Sequence, residues 1–289
     1  MKLSRRQALG AAALVAATAG TVESAVGASR DTAPRASSIA SRVHRGFIDL
    51  DYGQLHYRAC LPTADTGAGG GAAMGTQGAG RSSATNAPLL MLHGFPSSSW
   101  ALQPYLALLG RDRPTWAPDL PGMGDSAPHP NAQPSLEDLA DSVLQAADAL
   151  QLRRFDLYGT LTGARVAIEI GLRAPTRVRR LILDEPGGLP HDDPEFLTRY
   201  IPDLKPDALH AKTMEILKSA QLPVVFQSSV RYDVAARAPL LRIPTLTTDS
   251  LAARIPEARS LGLPRIEASN ATEAQVAERV AAFRAFLDA

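Results

Sequence analysis

From about Gly46 to Leu287, short apolar runs alternate with longer stretches that are apolar at helical spacing. The short runs are apolar throughout, as in strands buried on both faces, and the longer ones repeat at i, i+3 and i+4. Together they predict an α/β domain with a mostly parallel, doubly wound sheet. Gly46 to Tyr52 and Gln54 to Leu61, parted by Gly53, read as an opening hairpin. Pro88 to His93, Thr115 to Asp119, Phe155 to Tyr158, Val178 to Leu183 and Ile243 to Thr247 read as buried strands, with Pro264 to Glu267 as a short last one. Helices are expected over Trp100–Leu109, Ser135–Leu150, Ala164–Arg173, Leu251–Leu261 and Thr272–Leu287. Ser135 suits an N-cap, and Asp138 lies near the positive end of its helix. Gly187 to about Ala238 breaks the alternation with two helical stretches and reads as a short helical cap.

The N-terminal part follows another pattern. Lys2, Arg5 and Arg6 are basic, Ala8 to Gly20 is small and apolar, and Val26-Gly27-Ala28 ends in small residues. Residues 1–28 therefore read as a signal peptide of twin-arginine type, too short for a transmembrane anchor. This predicts an exported protein, periplasmic or extracellular, with no other membrane association. Residues 29–42 form a polar linker before the domain at 43–289, and about 63–87 is a Gly/Ala/Ser/Thr-rich insertion in a surface connection.

A formal net charge of +1 gives no footprint for nucleic acid. The single cysteine, Cys60, excludes an intramolecular disulfide and reads as a small buried side chain on a strand. No spacing such as H-x-x-x-H occurs, so neither metal nor cofactor is expected.

Two motifs carry chemistry. Leu92-His93-Gly94-Phe95-Pro96 follows a buried strand and precedes Trp100, and Ala117-Pro118-Asp119-Leu120-Pro121-Gly122-Met123-Gly124-Asp125-Ser126 follows the next strand. In this order they resemble the α/β-hydrolase superfamily, in particular its esterase, epoxide-hydrolase and dehalogenase-like members with a His-Gly-Phe-Pro loop. The resemblance implies a nucleophile on a strained strand-to-helix elbow and an oxyanion hole made of two backbone amides. Here the donors would be Phe95 and Thr162. His93 itself reads as a turn histidine satisfied by its neighbours, because the loop acts through its backbone.

The elbow departs from that pattern. It reads Gly159-Thr160-Leu161-Thr162-Gly163, with leucine where the superfamily carries its nucleophile. Leu161 has no lone pair, so no covalent intermediate can form from this position. The resemblance places the general base in the loop before the closing helix, where Ser269 and Asn270 stand and no histidine occurs. The acid is ambiguous. Asp249 comes early in a shortened Pro244-Thr245-Leu246 segment, and Asp184 ends the preceding strand; either serves equally as a helix cap or turn carboxylate.

Thr160 and Thr162 flank the elbow, and His191 and His210 lie in the cap. None forms a recognisable substitute triad. Two readings follow: a degenerate hydrolase binding a small apolar molecule between Phe95, Trp100, Leu161 and the cap, or an active hydrolase or lyase using non-standard residues. Oligomeric state is left open.

Overall fold

The computed structural model describes residues 43–62, 86–186, 206–248, 250–263 and 271–289. The expected signal peptide and linker, most of the 63–87 insertion, the first part of the cap with His191, and Asp249, Ser269 and Asn270 lie outside the described residues.

Eight strands form one sheet in the order β1-β2-β4-β3-β5-β6-β7-β8. They are β1 (His44–Leu50), β2 (Gly53–Cys60), β3 (Leu89–Leu92), β4 (Thr115–Pro118), β5 (Phe155–Thr160), β6 (Val178–Asp184), β7 (Thr245–Thr247) and β8 (Arg259–Ser260). The β1–β2 hairpin is antiparallel, β2 runs antiparallel to β4, and the remaining neighbours pair in parallel. Cys60 ends β2 buried.

Among the described residues seven helices accompany the sheet: α1 (Gln103–Leu109), α2 (Leu136–Ala149), α3 (Thr162–Arg173), α4 (Pro206–Lys218), α5 (Leu222–Arg231), α6 (Val234–Arg237) and α7 (Glu273–Leu287). Ser135 caps α2 and Thr272 caps α7, each in a reciprocal capping box with the third helical residue.

Strand periodicity explains why the sheet is covered on both sides. Leu90, Leu92, Leu157, Leu181 and Leu183 face one apolar cluster with residues of α2 and α3, whereas Leu89, Met91, Tyr158 and Ile182 face another with residues of α1 and α7. Since β3 has β4 on one side and β5 on the other, the chain changes direction there. The turns after β3 and β5 flank the crevice that such a switch creates at the carboxyl edge.

The expected helix over Leu251–Leu261 is not formed. A 3₁₀ turn covers Ser250–Arg254, and β8 follows within the same stretch. Pro256 cannot donate to an i−4 carbonyl, and Glu257 adopts a left-handed φ of 62°. The chain thus turns out of the helix and pairs Arg259 with Leu246.

Candidate functional site

Leu161 is the N-cap of α3, with φ 51° and ψ −116°. An L-residue avoids this backbone conformation, and it persists only where the surroundings force it. Several constraints do so. The Leu161 amide donates to the Asp184 carbonyl at 2.9 Å, fastening the turn to the end of β6. The Leu161 carbonyl accepts from Ala164 and Arg165 and opens α3. A Cβ on Gly159 would collide with the Gly163 carbonyl, and one on Gly163 would collide with the Leu92 and His93 carbonyls. The turn closes only with glycine at both positions.

The loop after β3 packs directly on this turn. A Cβ at Gly94 would lie 2.9 Å from the Leu161 Cβ and 3.0 Å from its Cδ1, so the leucine side chain rests on the Gly94 backbone. Phe95 is joined to Pro96 by a cis peptide bond. Its amide has no acceptor among the described residues, and Thr162, as the first residue of α3, has none within its helix. The two amides implied as an oxyanion pair therefore lie in the neighbouring turns with their donors available.

His93 is wholly buried. Its Nε2 accepts from the Leu120 amide at 2.9 Å, which leaves the proton on Nδ1 to donate to the Gly94 carbonyl at 3.0 Å. Burial lowers its pKa from the ordinary 6.5 and outweighs the pull of nearby Asp119, so the ring is neutral. Its role is to join the two motif loops.

Asp119 holds the second loop in a similar way. Its carboxylate accepts from the Ser99 amide at 2.7 Å, the Asp125 amide at 3.0 Å and His56 Nδ1 at 2.8 Å. Burial alone would raise this carboxyl, but the hydrogen bonds from His56, Ser99 and the Asp125 amide hold it well below the usual range. His56, Asp119 and Asp125 are the group among the described residues whose ligand atoms lie close enough for a metal. In Asp119 those oxygens are already filled by N–H donors. Trp100 lies in the 3₁₀ turn Ser99–Leu102, which Ser98 caps.

Asp184 is buried at the end of β6 and makes no bond to an imidazole among the described residues. It accepts from Arg279 Nη2 at 2.6 Å, Thr248 Oγ1 at 2.9 Å and Tyr158 Oη at 2.7 Å. Arg279, itself buried, comes from α7, so this carboxylate ties the last helix to the middle of the sheet.

Sequence reasoning missed the part the cap plays. Helix α5 lies against the elbow: Phe226 stacks on Phe95 with centroids 4.6 Å apart, and Ser229 Oγ lies 2.9 Å from Thr162 Oγ1. Arg165, one turn into α3, donates to the Ser229 carbonyl and hydroxyl and, through Nε, to the Pro186 carbonyl at 2.8 Å. Gln221, just before α5, bonds the carbonyls of His129 and Asn131 at 3.0 Å and accepts from the His129 amide at 2.7 Å. The signal for this docking was Arg165 and Glu169 at i and i+4 within the mainly apolar stretch of α3. His210 is exposed on α4.

The α/β-hydrolase-fold family profile matches residues 87–213. That stretch carries the α/β-hydrolase fold. Among curated proteins, it is 35% identical over 102 residues to 2-hydroxymuconate semialdehyde hydrolase of Pseudomonas sp. (strain CF600), covering 33% of this chain and 35% of that protein. It is 36% identical over 109 residues to a 1-acylglycerol-3-phosphate O-acyltransferase of Rattus norvegicus, covering 36% of this chain and 30% of that protein. The match thus spans about a third of each curated relative's length. Of solved structures, a hydrolase from Pseudomonas aeruginosa PA01 superposes with a TM-score of 0.64 at 21% identity, covering 85% of this chain and 98% of that one. The enol-lactonase from Burkholderia xenovorans LB400 superposes with a TM-score of 0.62 at 17% identity, over 84% of this chain and all of that one (100%). These likenesses show the fold.

Proposed function

We propose that this protein is a non-hydrolysing member of the superfamily that binds a small apolar molecule over its elbow. The observation that carries this reading is Leu161 on an otherwise intact elbow. The backbone still presents its central side chain against the Gly94-Phe95 loop, yet that side chain can neither attack a carbonyl nor exchange a proton. Two further features support it. Thr162 Oγ1, on the residue after Leu161, is paired with Ser229 and lacks a base among the described residues. Asp184, one of the acid candidates, is paired with a guanidinium, which cannot take a proton at any working pH. Phe95, Phe226 and Leu161 supply apolar surface for a ligand.

The test is a panel of p-nitrophenyl esters, epoxides and haloalkanes assayed with the unmodified protein, with Leu161→Ser and with Leu161→Ser/Asn270→His. The unmodified protein is expected to give no turnover above buffer, and Leu161→Ser alone no more than a trace for want of a base. Turnover by the unmodified protein that a Thr160→Ala/Thr162→Ala variant abolishes would establish the alternative, an active enzyme working through non-standard residues.

The basic, apolar and small-residue order of residues 1–28 supports a second proposal, export by the twin-arginine route. Replacing Arg5 and Arg6 by lysine is expected to retain the protein in the cytoplasm. Unchanged export of that variant sinks it.

A further inference from the structure

We infer that the site over the elbow carries an anion-binding position at Arg165, and that its ligand is a short apolar molecule bearing a carboxylate. This rests on the ligand-binding reading of the site. Arg165 is 1% exposed. Its bonds run from Nε to the Pro186 carbonyl and from Nη1 to the Ser229 carbonyl and hydroxyl, so every acceptor among the described residues is neutral. Among the described residues Nη2 donates to nothing, and no carboxylate lies within ion-pair distance of the guanidinium.

Among the described residues, the carboxylates of Glu169 and Asp184 are already matched. Glu169, one turn further along α3, receives Arg237 through two bonds of 2.8 Å and Tyr232 through one of 2.6 Å. Asp184 is held by Arg279. Among the described residues Arg165 therefore has no counter-ion, and a core tolerates a buried charge poorly unless something compensates it. Clamping Ser229 and Pro186 together requires hydrogen-bond donors, which a neutral side chain could provide. A guanidinium adds a charge and a second arm of its planar fork, the geometry that a carboxylate meets with two parallel bonds.

The size of the ligand follows from α5. Phe226 and Ser229 are three residues apart and share a helix face, so the aromatic contact on Phe95 and the polar contact at Arg165 are about 5 Å apart along the helix. A carboxylate at Arg165 would leave an apolar body of a few carbons over Leu161, Phe95 and Phe226.

The probes are hexanoate, 1-hexanol and methyl hexanoate, titrated calorimetrically into the full chain and into Arg165→Lys and Arg165→Met. The unmodified protein is expected to bind hexanoate at least about tenfold more tightly than hexanol. Arg165→Lys should keep part of that preference, and Arg165→Met should bind both equally. Equal binding of the two by the unmodified protein, or binding of neither, overturns the inference without any variant. So does a folded Arg165→Met that keeps the preference; if it fails to fold, the unmodified protein and Arg165→Lys decide. Release of hexanoate from methyl hexanoate is read separately: it would sink the non-hydrolysing reading and leave the carboxylate preference standing.

Discussion

The turns after β3 and β5 and the turn after β6 stand side by side on one edge of the sheet, yet they have fared differently. In the first two, the geometry that serves catalysis in the superfamily is made by the backbone: glycines that nothing else can replace, a leucine held in a left-handed conformation, and a buried neutral histidine linking two loops. In the turn after β6 the candidate contribution is a side chain, Asp184, and it is held in a structural pair with Arg279. Backbone geometry is protected by packing, because losing it costs stability whether or not catalysis is under selection. A side chain at the end of a strand has no such protection from packing alone.

The comparison can be broken at three points. The largest effect is expected from Arg279→Leu, which strands a buried carboxylate between Tyr158 and Thr248; it should cost about 3–5 kcal/mol in denaturant unfolding. Adding Asp184→Asn should recover a large part of that loss. A cost below about 1 kcal/mol would mean that the pair is not what the β6 turn now serves. Next is Gly163→Ala, whose Cβ would meet the Leu92 and His93 carbonyls. It should cost at least about 3 kcal/mol with an unchanged denaturant slope, since backbone must move to admit it. If alanine is accepted, the elbow is not enforced by packing.

The third point concerns His93. Its folded pKa lies below the ordinary 6.5, so as pH falls past 6.5 the unfolded chain takes up a proton that the folded chain does not. Stability from this group is complete above pH 6.5 and declines below it, by at most about 1.4 kcal/mol per pH unit. Unfolding measured at pH 7 and pH 5 should show that decline, and His93→Asn should reduce it. An identical decline in the variant would remove His93 from the linkage.

Much of the fold was legible because β3, β5 and β6 are apolar on both faces, a demand that buried parallel strands impose directly on sequence. The elbow was legible for the same reason that it persists: two glycines with no substitute. The docking of α5 was not, because Phe226 on Phe95 and Ser229 on Thr162 join positions more than sixty residues apart in sequence, and nothing local distinguishes them from other helix residues. The Asp184–Arg279 pair was hidden likewise, its partners lying 95 positions apart in sequence. The misread stretch after β7 failed at Pro256, whose effect on the preceding turn outweighed the apolar spacing of Leu251 and Ile255.

Leu161 sits on a turn whose shape depends on its neighbours and hardly at all on its own side chain. That makes the position a rigid mounting point. With Cys60 replaced by alanine, a single cysteine installed at Leu161 would carry a spin or fluorescent label at a known angle between α5 and the Phe95 loop. What the superfamily uses to aim a nucleophile would then aim an instrument, reporting from inside the site on whatever enters it.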